Sequence, residues 1–211
     1  MVGELHASAT DTLQRWSAPT PAQRALAEAC LGFLAAREDA CRRSCLPGHL
    51  TASALVLTPD GSATCLVHHG LVKAWLQPGG HLEEDDTSLP AAALREAQEE
   101  TGLAGLTIDP VPLHIDVHAI TCRGSGPTRH FDVRFLAISE LACPTVNEES
   151  NAVQWWPTDD LPEVFDEVLE LVSLGVERVR QTTAGSPRAE RRPTHPGNTS
   201  NRSSGTSPEG P

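Results

Sequence analysis

The sequence is poor in basic residues: 16 Lys and Arg stand against 28 Asp and Glu, a formal net charge of −12. A balance of that sign excludes broad binding to nucleic acid or to anionic membranes, which needs basic surface. Long apolar runs are also missing, and no stretch approaches the length of a membrane span. Residues 1–15 have neither the basic start nor the apolar stretch of a secretion signal, so a cytoplasmic compartment is expected. The six cysteines therefore do not predict a disulfide framework. Cys41, Cys45 and His49 stand four apart and imitate metal ligands. Pro47-Gly48 would break a helix carrying all three and no fourth ligand is evident, so packing is expected there rather than zinc. Cys30, Cys65, Cys122 and Cys143 are expected to be small apolar fillers.

Against this background residues 79–103 stand out. A Gly79-Gly80 turn leads through the acidic Glu83-Glu84-Asp85-Asp86 into a helical stretch, Arg95-Glu96-Ala97-Gln98-Glu99-Glu100-Thr101-Gly102-Leu103. Residues three and four apart are neighbours on a helix, so Glu96, Glu99 and Glu100 converge on one side. Carboxylates packed so closely repel one another, and a hard divalent cation with oxygen ligands removes that repulsion. The competing reading is a solvated acidic face. Leu89, Ala93 and Ala97 recur every four residues and predict an apolar face, hence a packed helix, which favours a metal site.

This segment resembles the Nudix hydrolase signature, Gly-x5-Glu-x7-Arg-Glu-U-x-Glu-Glu-x-Gly-U, in which U is a bulky apolar residue. The match is full from Arg95 to Leu103 except at Ala97, and Leu76-Gln77-Pro78-Gly79-Gly80 resembles the family's approach to the motif. The first half departs from the pattern. Asp86 stands where the family has Glu, and eight residues rather than seven precede Arg95, as a one-residue insertion would produce. The resemblance implies an α/β fold, a Nudix-type α/β/α sandwich with a mixed β-sheet. It also implies Mg²⁺, or alternatively Mn²⁺, held by Glu96, Glu99 and Glu100, with a Gly79 or Gly80 carbonyl completing the shell. Glu96, Glu99 and Arg95 form the implied catalytic group, Arg95 holding a glutamate in place or pairing with Glu99. The general base stays open between Glu96 and the loop residues Glu148 and Glu149.

The implied activity is Mg²⁺-dependent hydrolysis of the diphosphate linkage of a nucleoside diphosphate joined to another moiety. Partners are then a phosphorylated small molecule of nucleotide type, with neither membrane nor nucleic acid. Two rivals differ in class: a nucleotide-binding regulatory module of this fold, and a hydrolase or isomerase acting on a non-nucleotide diphosphate. The presence of all three glutamates favours an enzyme over a module that has lost them.

The 211 residues fit one domain with appendages. Residues 1–46 are expected to form an N-terminal helical extension, helical over about 10–46, with a Thr20-Pro21-x-Gln23 capping box. Residues 47–181 would carry the Nudix domain. Strands are expected over 50–58, 63–68, 113–121 and 129–138, a catalytic helix over 88–101 and a last helix over 162–181. Residues 182–211 are rich in Ser, Thr, Pro and Gly without apolar periodicity and are expected to be a disordered, dispensable tail.

Alternation places His114, Asp116 and His118 on one face of their strand and His130, Asp132 and Arg134 on one face of the next. Cross-strand pairing or an independent metal site could explain such a ladder. The preferred expectation is a substrate cleft lined by Gly79, Gly80, Arg134, Asp132 and His118. Avoidance of like charges predicts His118 opposite Asp132 and Asp116 opposite Arg134, with Phe131, Val133 and Phe135 facing a core. On that register Arg134→Ala should raise KM more than it lowers stability. Lys73, His68 and His69 are further candidates for phosphate contact.

Overall fold

A computed structural model describes residues 2–122, 126–146 and 150–185. The strand β1 (His49–Leu57) is buried along its whole length, because it has neighbours on both edges and helices over both faces. On one edge it pairs in parallel with β6 (Gly126–Ile138), from His49↔His130 to Leu57↔Ile138. On the other edge it pairs antiparallel at two separate places. Val56 and Leu57 face β2 (Ala63–His69), and Thr51 to Ser53 face the short β4 (Gly79–His81). The gap between is bridged by β3 (Trp75–Leu76), which pairs with β2. The edges of this seven-stranded mixed sheet are formed by β5 (Thr107–Cys122), paired with β6, and β7 (Ser150–Pro157), paired with β2.

Period-two alternation divides β1 between two cores. Leu50, Ala52, Ala54 and Val56 share a cluster with Val133, Phe135 and Ile115, with the helix α3 (Leu89–Thr101), and with Leu5, Leu13, Cys30 and Leu34 of α1 (Val2–Arg15) and α2 (Pro21–Ala36). Leu55 and Leu57 pack instead with Leu66, Leu113 and Leu136 beneath Val168, Leu171, Val172 and Val179 of α4 (Asp166–Gly185). Helices thus cover the sheet on both sides. Gly175 lets α4 approach: a Cβ there would run into the Leu55 side chain and stand 3.1 Å from Leu57.

Several expected boundaries move. The first section is two helices, the first beginning near the start of the chain, and residues 37–48 form turns. Among these turns the Arg37 guanidinium pairs with Asp39 and the Cys45 thiol donates to Asp39. The last helix begins at Asp166, after Pro162, where the Phe165 carbonyl accepts from Val168 and Leu169, and it continues to Gly185. The tail beyond that point lies outside the described residues. Strand β7 was not expected: Val153 and Trp155 pack on one core and Trp156 on the other, so apolar residues fall on both faces and no alternation shows. Cys143 is exposed rather than a filler, and the side chain of Cys122 lies outside the described ones.

The capping box is half formed. Thr20 Oγ1 accepts from Gln23 N at 3.2 Å, but the Gln23 side chain turns away to the edge of β5. There Oε1 accepts from Ile115 N at 2.7 Å, while Nε2 donates to Ile115 O at 3.0 Å and lies 2.8 Å from His114 Nε2. An edge strand presents unpaired backbone groups, and this one amide satisfies both groups of Ile115 with the geometry of another strand. Gln23→Ala should therefore orphan two buried backbone groups and cost about 2–4 kcal/mol. Urea unfolding measures it, and a loss no larger than that of an exposed helix substitution would contradict the role.

Candidate active site

Helix α3 forms where expected. Ser88 Oγ accepts from Ala91 N at 3.3 Å, Pro90 occupies the first turn, and Gly102 closes the helix with φ 65°, a left-handed conformation that glycine adopts without strain. Leu89, Ala92, Ala93 and Ala97 are fully buried. The small side chain of Ala97, which replaces the signature's bulkier residue, lies in this close packing of α3 against the sheet.

Glu96 and Glu100 fall within this inward-facing stripe and Glu99 at its margin, and the structure does not treat the carboxylates alike. Glu100 is buried, and its Oε2 accepts from Gly79 N at 3.0 Å. Glu96 leans over the second glycine: a Cβ on Gly80 would stand 2.7 Å from Glu96 Oε1. A Cβ on Gly79 would collide with Ser53. Gly79 is therefore required by its close approach to the β1 backbone, while a side chain at Gly80 would displace the Glu96 carboxylate. Glu99 lies outward with its side chain 57% exposed.

Arg95 ties these groups together. Its Nε and Nη2 donate to the two oxygens of Asp86 at 3.1 and 2.9 Å. Its Nη1 donates to Glu96 at 3.0 Å and Glu99 at 3.1 Å, and Nη2 also reaches the His81 carbonyl at 3.0 Å. The departure at Asp86 is thereby explained. Asp86 is the buried partner of Arg95, and it also accepts from Glu83 N at 2.7 Å. The shorter side chain reaches because the loop has closed around it. Hydrogen bonding to Asp86 holds the Arg95 guanidinium firmly protonated. Burial pushes the Glu96 carboxyl up to about 7 against the opposing charge of Arg95, and a cation beside it would favour its ionised form.

The expected substrate face is assembled on the other side of the sheet, but its register differs. Asp116 stands opposite Asp132, His114 opposite Arg134 and His118 opposite His130. The like-charge pair persists because Arg134 lies across it, with Nη2 3.1 Å from Asp116 and Nε 3.0 Å from Asp132. Thr51 and Ser53 on β1 also donate hydroxyl hydrogens to Asp132, at 3.1 and 2.8 Å. His118 Nδ1 lies 2.7 Å from Asp116, which raises the imidazole and holds the Asp116 carboxyl down. A third strand supplies what two strands could not show. Phe131, Val133 and Phe135 face the α1–α3 core as expected.

Two buried polar atoms beside Ser53, Arg134 Nη1 and Gln77 Oε1, have no hydrogen-bond partner among the described residues. The Gln77 amide lies 3.5 Å from Ser53 Oγ. His69 and Lys73 build a turn. His69 Nδ1 accepts from Leu71 N and Val72 N, and Lys73 has φ 56°. His68 lies 3.2 Å from the Asn151 amide. Glu148 and Glu149, the loop candidates for the base, lie outside the described residues.

Because Arg134 is buried between two carboxylates, its removal strands both. Arg134→Ala should lower stability by about 3–5 kcal/mol, so the expectation that KM would change more than stability is replaced. Denaturant melts decide it, and a loss below about 1 kcal/mol, the range of exposed pairs, would contradict this placement.

The family model for the NUDIX domain matches residues 47–172. No curated protein sequence matches significantly. Among solved structures, a NUDIX-family hydrolase from Clostridium perfringens is 20% identical with a TM-score of 0.49, covering 65% of this chain and 99% of that one. The NUDIX domain of Shewanella oneidensis NrtR, complexed with ADP-ribose, is 23% identical with a TM-score of 0.48, covering 65% and 92%. A C. elegans Ap4A hydrolase is 17% identical with a TM-score of 0.49, covering 63% and 98%. With the signature helix, its glycine turn and the family match over more than half the chain, this protein belongs to the Nudix hydrolases.

Proposed function

We propose that the protein hydrolyses the diphosphate linkage of a nucleoside diphosphate joined to another moiety, with Mg²⁺ held by Glu96, Glu99 and Glu100. The observation that carries this reading is a buried Glu100 and a half-buried Glu96 one helical turn apart against Gly79-Gly80. A carboxylate kept from water is costly unless it is paired. Arg95 is shared among four acceptor groups and offsets only part of that cost. The donors are all oxygen, which fits a hard cation. When bound, such an ion neutralises phosphate oxygens and lowers the pKa of a coordinated water.

The remaining roles fall to the chain itself. Arg95 fixes Glu96 and Glu99 in direction and anchors the glycine turn through the His81 carbonyl. Glu99, partly exposed, is placed to ligate or to accept a proton from the attacking water. On the sheet face, Arg134 Nη1 and Gln77 Oε1 offer one donor and one acceptor, a pair suited to a polar nucleotide edge. Asp132 and His118 on that face, with Gly79 and Gly80 at the turn beside α3, are the candidate substrate contacts. A panel of nucleotide-linked diphosphates, with product identification, tests the class. Release of a nucleoside monophosphate is expected, and Mg²⁺-dependent turnover confined to non-nucleotide diphosphates would contradict it.

Glu96→Gln and Glu100→Gln should each lower turnover by at least about a hundredfold, close to 2.7 kcal/mol of barrier, while leaving the fold intact. Near-wild-type turnover by both variants would remove the assignment. A second expectation concerns pH. In metal-free protein the folded Glu96 carboxyl, at about 7, lies above its ordinary value of 4.5. Between those values the folded chain keeps a proton that the unfolded chain has lost, so stability falls as pH rises through that window. Glu96→Gln should abolish that part of the decline, and Mg²⁺ should reverse it in the wild type. Melting curves of equal pH dependence in both proteins would show that Glu96 ionises freely.

A further inference from the structure

We propose that His49, His81 and His130 form a second metal site, separate from the carboxylate cluster, that takes a zinc-class transition-metal ion through three imidazole nitrogens. The three rings come from three adjacent strands. His49 opens β1, His130 stands directly opposite it on β6, and His81 ends β4 opposite Thr51. Their side chains lie on the sheet face away from α3: Gly80, one residue before His81, is the one that meets Glu96. The rings form a triangle, with centroids 5.0 Å apart for each of the three pairs. One nitrogen from each lies within 4.8 Å of the others. Around a tetrahedral ion with Zn–N bonds of about 2.0–2.1 Å, donors stand about 3.3 Å apart. Small side-chain rotations cover that difference.

His49 supplies the independent pointer to a ligand. It is fully buried, and its Nδ1 lies 3.4 Å from the Cys45 carbonyl. A carbonyl only accepts, so Nδ1 carries the proton and Nε2 is left with a lone pair. That Nε2 is buried with no hydrogen-bond partner among the described residues, an unusual state for a native polar atom. An imidazole whose far nitrogen is fixed by a backbone carbonyl, with its near nitrogen unfilled, is the arrangement found behind metal ligands.

The donor set chooses the metal. Three nitrogens without an oxygen among them suit Zn²⁺, Co²⁺, Ni²⁺ or Cu²⁺ and not Mg²⁺, so the two sites would sort their ions by chemistry. Arg43 acts electrostatically on His49 and His81, and its charge opposes a dication. Affinity must then come from the coordination bonds, and a fourth, anionic ligand would be favoured. Arg95 links the sites mechanically, since it holds the His81 carbonyl and Glu96 together.

The test is a Co²⁺ titration of the full-length, chelator-stripped protein in excess Mg²⁺, read by visible absorption. One equivalent of Co²⁺ should bind with the intense bands of a low-coordinate ion, be displaced by Zn²⁺, and raise the melting temperature. His81→Ala and His130→Ala, checked for fold by circular dichroism, should each weaken binding by about a hundredfold or more. His81→Cys should keep binding and add a thiolate-to-cobalt charge-transfer band, which packing alone cannot produce. A Glu96→Gln/Glu100→Gln double variant should bind Co²⁺ as the wild type does. Absence of saturable binding, binding unchanged in His81→Ala, or binding lost only in the glutamate variant would each overturn the proposal.

Discussion

Two carboxylates, Glu96 and Glu100, are held one helical turn apart where water reaches them poorly, and much of the local architecture follows from that constraint. The helix that bears them can come so close to the sheet only because its inner stripe is alanine. In the turn beneath, a side chain at Gly79 would meet the backbone of Ser53, and one at Gly80 would displace the Glu96 carboxylate. Arg95 has to be present to hold Glu96, and a second acid has to hold Arg95. Asp86 fills that place, so a loop that departs from the family pattern still delivers the required contact.

A similar balance of charge governs the far face of the sheet. Asp116 and Asp132 are directly opposed, a pairing that two strands alone would reject. Arg134 spans them, and β1 adds the Thr51 and Ser53 hydroxyls. The polar side chains there form a network that extends across three strands and ends in unfilled atoms at Gln77 and Arg134. Buried networks of this kind stabilise only when their members are satisfied.

How much of this was legible in the sequence depends on how local each signal is. The α3 helix, its caps and its glutamates were legible because positions three and four apart report on one helical face. The buried strands were legible through Leu50 to Leu57 and Val133 to Phe135. The register of β5 on β6 was not, because the contacts that decide it come from Thr51 and Ser53, about eighty residues earlier. Strand β7 was hidden by apolar residues on both faces. Gln23 imitated a capping residue while serving a strand edge ninety-two residues away. The histidine triangle was invisible for the same reason: His49, His81 and His130 meet only once three strands are aligned. A weak signal existed, since each lies at a strand terminus or in an alternating polar row, but no spacing between them is diagnostic.

The central claim is that the buried glutamates exist to hold a cation. Anomalous diffraction from crystals soaked in Mn²⁺ tests it most directly, because the ion is placed by its own scattering. The account predicts a peak bounded by Glu96, Glu100 and the Gly79-Gly80 turn, and its loss in Glu96→Gln crystals. Glu96 and Glu100 clearly resolved without a peak between them at saturating Mn²⁺ would contradict it.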